Sequence, residues 1–415
     1  MEKGTNHIAV IGAGIVGISC ACVLRQRGFA VTLIDRDEPC TGTSRGSAGA
    51  IATSEILPLA SPGILAKAPK WLLDPVGPLS VRPSYLPTLV PWLYRFWRAS
   101  SMAQVRGSTE ALASLMAISM PAAERLFAAG EMSHCLRRVG ALHLYETEGE
   151  FQRSQWGWVL RQDHGVRFEH LDQAALRDLE PEISPAFTRA TFLPDWTLVS
   201  DPYDVGRDLA THAMANGVSF VRAAVQGIAD ESGELSIQLD TGSSVIASQV
   251  VLAAGAWSHR LAATWGERIP LETERGYNTT IADPGISLTR QLNFGEHGFV
   301  ASVLSSGLRI GGAVELGGLD APPNYRRAEA MLAKAKRFLP NLQIKGGVQW
   351  MGYRPSLPDS KPVIGRSRIR PRIIHAFGHG HLGLTQGPAT AELVADIASD
   401  TAPAIDLSPF RPDRF

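Results

Sequence analysis

The sequence predicts an α/β protein, in which a mostly parallel, helix-covered sheet is assembled from distant segments and joined to a second, β-rich domain of mixed or antiparallel strands. Three observations predict it. Apolar runs of the kind buried on both faces of a parallel sheet recur near residues 10, 33, 220, 252 and 374. The first run leads directly into Gly12-Ala13-Gly14-Ile15-Val16-Gly17 and then a helical pattern. Residues 270–315 hold GYNTTIA, HGFVASV and GLRIGGAV, short turn-bounded runs proper to an antiparallel sheet.

The opening unit is the most informative. HIAVI is a buried strand, the glycine run a tight turn into a helix, and AVTLID a second strand ending at Asp35. Gly12 permits the turn, Gly14 lets backbone approach a pyrophosphate, and Gly17 lets helix and strand pack closely. The helix start at Ile15 and Val16 offers unpaired amides to phosphate. Asp35, 18 positions after Gly17 and followed by Arg36, is placed to accept from a ribose hydroxyl. A glycine motif alone is weak, but strand, helix, strand and acid in order predict a Rossmann-like dinucleotide site. The motif leaves NAD and FAD both open.

Four further segments extend that fold, three of them toward the cofactor. CTGTSRGSAGAIA, residues 40–52, leaves the Asp35 strand directly and is expected to lie on the cofactor through Thr43, Ser44, Arg45, Ser47, Ala48 and Gly49, an ordinary linker being the alternative. DPYDVGRDLATHAMANGVSF reads as helix then strand, and SQVVLAAGAWS as a buried strand ending in Ala254, Gly255 and Trp257. HAFGHGHLGLTQGPAT reads as strand, glycine turn and helix start, with Gly380, His381, Leu382, Gly383, Leu384 and Thr385 at a second helix N-terminus that favours an electron-rich group. A metal at His375, His379 and His381 would want further Cys, His or carboxylate ligands at matching spacing, and none stands nearby. We therefore expect turn and cofactor-lining histidines and no metal.

Composition narrows the class. A chain of 415 residues suits two or three connected lobes and can enclose a large cofactor. Lys plus Arg and Asp plus Glu are both 40, so nothing global recruits nucleic acid. Cys20, Cys22, Cys40 and Cys135 are not in zinc-like pairs and suit reduced thiols in a cytoplasm. The N-terminal apolar run belongs to the glycine motif rather than to a leader, and no stretch reaches roughly 18 unbroken apolar residues. LPTLVPWLYRFWRAS, residues 86–100, reads as a core or interface helix, with peripheral contact to the inner face of a membrane as the sharper alternative. Residues 108–129 read as another amphipathic helix.

The glycine run with Asp35, TSRGSAG, GLRIGGAVEL, MGYRPSLPDSKPVIG (residues 351–365) and GHGHLGLT together resemble the D-amino-acid oxidase superfamily of FAD enzymes, and within it bacterial D-amino-acid and D-hydroxyproline dehydrogenases. The resemblance spans nearly the whole chain. It implies an FAD-binding domain from residues 1–65, 195–262 and 340–415, a substrate domain from 66–194 and 263–339, and the flavin between them. It also gives the arginine of RPSLPDSKPVIG, Arg354, to the substrate carboxylate. The chemistry agrees, since a guanidinium is permanently charged and grips a carboxylate bidentately; a structural ion pair is the alternative. Tyr277 and its rival Tyr353 stand where relatives place a group near the substrate, a packed core tyrosine being the other reading of Tyr277, and His379 or His381 is expected to line the flavin or the amine.

Two departures from the family pattern matter. Ser47 stands where related dehydrogenases often have asparagine, and no cysteine follows Cys135, so the cysteinyl flavin of sarcosine oxidases is excluded and FAD is expected to be non-covalent. The expected reaction is hydride transfer from the Cα–H of a D-amino acid to flavin N5, best a cyclic D-imino acid such as cis-4-hydroxy-D-proline or D-proline, with electrons passed to a quinone or other carrier. An oxygen-using oxidase of glycine, sarcosine or D-amino acids keeps every residue role. A non-catalytic FAD relay subunit and an NAD dehydrogenase are the rivals from other classes.

Overall fold

A computed structural model describes residues 6–62, 77, 79–231 and 233–415. The expected domain boundary between residues 65 and 66 lies outside the described residues. The apolar runs become a six-stranded sheet in the spatial order Ser219–Arg222, Ala30–Asp35, His7–Ile11, Gln249–Leu252, Ile373–Phe377, Val363–Arg366. Its first five strands pair in parallel and Val363–Arg366 closes the edge antiparallel. One face is covered by the helices Ile15–Gln26, Met102–Ala129, Pro202–Ala215 and Gly383–Ala398 through a core that includes Ile18, Leu24, Leu126, Leu209 and Val394. The other is covered by the antiparallel meander Val225–Glu231, Glu234–Leu239 and Ser244–Ala247 with Trp265 and Leu271. Burial on both faces is why His7–Ile11, Ala30–Asp35, Gln249–Leu252 and Ile373–Phe377 read as apolar runs, while the edge strand Ser219–Arg222 is half-exposed.

The second domain is built on a larger mixed sheet. Its order runs Val348–Ser356, Glu272–Ile281, Gly307–Leu316, Phe299–Leu304, Gln291–Phe294, Ala141–Tyr145, Arg189–Leu193, Glu169–Asp172, with Leu79–Val81 parallel to Gly307–Leu316. The helix Arg326–Phe338 backs it through Met331, Ala335 and Phe338, which pack on Phe294, Phe299 and Phe187. GYNTTIA, HGFVASV and GLRIGGAV are strands of this sheet.

The topology departs from the expected boundaries in two places. Val348–Ser356, expected with the nucleotide-binding part, pairs with Glu272–Ile281 over nine residues from Glu272↔Ser356 to Thr280↔Val348. Met102–Ala129, expected with the substrate part, packs on Gly383–Ala398 and buries Val105, Leu112, Leu115 and Leu126. Both follow from long-range pairing, which composition does not encode. The sequence also held no unbroken span of membrane length, yet Met102–Ala129 is long and apolar enough to cross a bilayer by length and composition. About half of its apolar stretch is buried inside the molecule, against Gly383–Ala398 and the parallel sheet's helical face.

Candidate active site

The C-terminal ends of the parallel strands open into a cavity of about 1010 Å³ that reaches from the glycine turn to the large sheet. Its floor is the turn after His7–Ile11. Gly12 has φ +107°, and a Cβ there would stand 2.4 Å from Ala253 O. A Cβ on Gly17 would stand 1.8 Å from Gly12 O, so helix and turn touch backbone to backbone. Gly14 precedes the helix Ile15–Gln26, whose Ile15 N–H donates to Ser44 Oγ at 2.9 Å. At the end of the second strand the Asp35 carboxylate accepts from the amides of Ala13 (2.6 Å) and Asp37 (3.1 Å). Burial raises its pKa above the ordinary aspartate value, and those two amides pull it back.

Gly12, Gly14, Ile15, Val16, Asp35, Arg36, Thr43, Ser44, Ser47, Ala48, Ala254, Gly255 and Trp257 all line this cavity, as do Gly380, His381, Leu382, Gly383 and Leu384 at the start of the last helix. Arg36 stacks on the Trp257 ring at 4.2 Å. Three residues expected on the cofactor lie behind the wall instead. Arg45 stacks on Tyr203 at 4.8 Å. Gly49 N–H donates to Ser47 Oγ at 3.3 Å, and the Gly49 carbonyl accepts from Val199. Thr385 Oγ1 accepts from Ala52 N at 3.0 Å and donates to Ala50 O, clamping the loop to the helix. In each case a local polar group is satisfied by protein, which a motif reading does not reveal.

The far wall comes from Val348–Ser356 and Glu272–Ile281. Strand alternation turns Trp350, Gly352 and Arg354 of one, and Glu274, Gly276 and Asn278 of the other, toward the cavity. Four lining arginines are candidates for an anion, and three are engaged. Arg36 is stacked, Arg260 pairs with Asp320 (2.6 Å), and Arg309 holds Thr280 Oγ1, the Ser47 carbonyl and Asp201 (3.6 Å). Arg354 makes two long contacts to the carbonyls of Ala313 (3.3 Å) and Gly312 (3.5 Å) and no ion pair among the described residues. Burial pushes its pKa down and the Glu274 carboxylate opposes the shift, but a guanidinium keeps its charge throughout the working range. Glu274 is 7% exposed and has no hydrogen-bond or ion-pair partner among the described residues. A separated cation and anion thus face one cavity.

Gly276 was not singled out by sequence, yet the Arg354 side chain lies over it. A Cβ there would stand 2.5 Å from Arg354 Cζ. Gly276→Ala is therefore expected to displace the guanidinium, raising KM about tenfold with flavin content unchanged, in line with about 1.4 kcal/mol per decade; steady-state kinetics beside the bound-flavin absorbance checks it.

Other expected residues take structural parts. The Tyr277 hydroxyl donates to Glu315 and accepts from Asn324 N, and burial with the Glu315 carboxylate pushes its pKa up to about 12. Its ring lines the cavity but its hydroxyl is committed to the Arg275–Glu315–Arg82 ion network. The Tyr353 ring meets Trp257 edge-on at 5.1 Å, while its backbone N–H and carbonyl both bond Thr43 Oγ1. That hydroxyl ties the cofactor loop to the large sheet. His379 is buried, its Nε2 2.9 Å from Thr390 Oγ1, and burial lowers its pKa to about 3, so it is neutral at working pH. His381 is open to the cavity; enclosure and the Arg354 charge lower its pKa, opposed by Glu274 and Glu55. His375 belongs to a different cluster, 2.8 Å from Glu267. Among the described residues no group of three or more His, Cys, Asp or Glu is arranged to hold a metal ion.

The sequence profile of the family described as "FAD dependent oxidoreductase" matches residues 7–397. The chain belongs to that family. It is an oxidoreductase that uses FAD. It is 36% identical to a D-amino-acid oxidase of Bradyrhizobium diazoefficiens, covering 100% of both chains. It is 30% identical to a D-amino acid dehydrogenase of Paramagnetospirillum magneticum, covering 98% of both. Among solved structures, glycine oxidase from Geobacillus kaustophilus is similar in fold, with a TM-score of 0.78 at 22% identity over 99% of this chain and 100% of the other.

The residues present fit FAD. The glycine turn lies so close to the Ala253 backbone that no side chain fits at position 12, its Gly12 and Gly14 line the cavity, the Asp35 carboxylate stands at the strand end, and one continuous cavity joins them to the guanidinium of Arg354, which has no ion pair among the described residues. Sequence reasoning missed Glu274, Gly276, Asn278 and Trp350 in this oxidoreductase. A Cβ on Gly46 would meet the Trp350 ring at 2.0 Å and one on Gly352 at 2.1 Å, so that indole wedges the cofactor loop against the strand. The only signal for them was strand alternation around ERGYN and MGYRP.

Proposed function

We propose that this flavoenzyme oxidises a D-amino acid, best a cyclic D-imino acid such as cis-4-hydroxy-D-proline or D-proline, and passes the electrons to a quinone or other carrier. The observation that carries an amino-acid substrate is that Arg354, held only by two long contacts to carbonyls, and Glu274, with no partner among the described residues, share one wall of the cofactor cavity. A zwitterion offers a carboxylate to the first and a cationic nitrogen to the second, so each charge gains an ion-pair partner. The names of the relatives support the D-configuration and the amino-acid class.

FAD, when bound, supplies the hydride acceptor. The protein's own residues orient and desolvate the substrate. Arg354, lying over Gly276, fixes the carboxylate; Glu274 draws in the ammonium; and His381, on the same cavity and with its pKa lowered, stands there for the proton that the nitrogen must lose before its lone pair assists Cα–H cleavage. His379 holds the turn that presents His381.

A second reading has oxygen as the acceptor, favoured by the 36% relative, which is named an oxidase. One anaerobic titration followed by reoxidation separates the readings. Flavin absorbance is expected to bleach with D-proline or cis-4-hydroxy-D-proline and not with the L-enantiomers, and to recover faster with a quinone than with air. Rapid recovery in air would move the assignment to the oxidase, and a flavin that no amino acid bleaches would leave the relay subunit. Glu274→Gln is expected to weaken amino-acid binding about tenfold, while leaving the affinity for cyclopentanecarboxylate, which has no nitrogen, unchanged.

A further inference from the structure

The helix Leu86–Ala99 buries one side and presents the other. Leu89 and Trp92 pack on Leu316 with Leu79, Val81 and Val314 around them. On the outer side Leu86 is 46% exposed, Val90 53%, Tyr94 55% and Trp97 55%. Spacings of four, four and three residues put Leu86, Val90, Tyr94 and Trp97 on one stripe. The Tyr94 and Trp97 rings touch, with centroids 6.0 Å apart. Exposed apolar side chains scattered singly need no explanation, but a contiguous stripe marks a contact surface.

The charges beside the stripe identify its partner. Arg95, Arg98 and Arg106 are exposed and make no ion pair among the described residues, and residues 86–109 contain no Asp or Glu. Two large aromatics with polar tips, aliphatic neighbours and uncompensated arginines make up a helix that lies in a lipid interface. We propose that this helix docks the enzyme on an anionic phospholipid bilayer, with Leu86, Val90, Tyr94 and Trp97 at the acyl boundary and the arginines on phosphate. A protein partner would also cover the stripe, but three unpaired cations with no acid among them match a uniformly anionic surface better than a mixed one. Tyr85, which ends immediately before the helix, donates its hydroxyl to Glu272 at 2.9 Å, on the strand that carries Glu274. The docking helix is thereby fixed to the wall of the active-site cavity. The inference does not rest on the acceptor proposed above, because its test reads binding alone.

The flavin-loaded full chain is mixed with phosphatidylcholine vesicles containing or lacking phosphatidylglycerol and sedimented. Binding is expected on the anionic vesicles only, weakening as salt is raised. Tyr94→Ala with Trp97→Ala should lower it at least tenfold, and Arg95→Gln with Arg98→Gln should remove the preference for anionic lipid, both with flavin content and substrate bleaching unchanged. Equal partitioning of native protein and both double variants would overturn the proposal. So would a self-associated native protein that light scattering shows to become monomeric on Trp97→Ala, since the stripe would then join two copies of this chain.

Discussion

Replacing Arg354 with alanine is expected to lower kcat/KM for the preferred D-substrate by about two to four decades, the loss of a bidentate charge-assisted pair worth about 3–5 kcal/mol. The flavin should remain bound, because Arg354 lies on the Val348–Ser356 strand, on the wall of the large sheet and away from the glycine turn. Arg354→Lys keeps the charge and loses the fork, so it should recover only about tenfold of the deficit. Most of the loss should fall on KM, since the guanidinium holds a carboxylate that is charged in both ground and transition states. Stopped-flow bleaching at varied substrate concentration separates binding from chemistry. A loss under tenfold would mean that another arginine takes the carboxylate, and Arg260 would have to leave Asp320 or Arg309 leave Asp201 to do so.

Gly12→Ala is expected to give protein that purifies without colour. The obstacles a Cβ would meet are all backbone: Ala253 O at 2.4 Å, Ala253 C at 2.7 Å and Ala254 Cα at 2.8 Å. No side chain can swing aside, so the turn itself must open and the amides at the helix start lose their aim. Strain at φ +107° adds to the clash, and the fold should lose about 2–4 kcal/mol, read as a lower Tm for the apoprotein. Gly28→Ala is the control. Gly28 has φ +90° but open space around it, so that variant should lose about 1 kcal/mol and keep its flavin. If Gly12→Ala retained full flavin, the glycine turn would not be the phosphate cradle.

The strands HIAVI, AVTLID, SQVVL and RIIHAF were legible because burial on both faces leaves an apolar run that no other environment explains. The glycine turn was legible because its spacing follows a strand and opens a helix, with Gly17 packing on the Gly12 backbone five residues before it. What escaped was every feature set by distant pairing. Glu274 and Gly276 acquire meaning only when Glu272–Ile281 is registered against Val348–Ser356, which places Arg354 beside Glu274 and its side chain over Gly276. Tyr277 was expected near substrate, but its hydroxyl turns to Glu315 of the other neighbouring strand. The loop around Arg45 lines the cavity through Thr43, Ser44, Ser47 and Ala48, but the Arg45 side chain itself turns to the Tyr203 ring. Segments that bond locally announce themselves; pairings across a hundred residues do not.

The Glu272–Ile281 strand has a consequence for how such an enzyme diversifies. Positions 274, 276 and 278 look into the cavity, while Arg275 and the Tyr277 hydroxyl join the buried Glu315 network. Substitution at 274 or 276 therefore acts first on what the enzyme accepts and substitution at 275 on how well it holds together, with Tyr277, whose ring lines the cavity while its hydroxyl joins the network, serving both. Selection for a new substrate can rewrite the even positions while the odd ones preserve the scaffold, whereas insertion of one residue would exchange the two sets and sacrifice both at once.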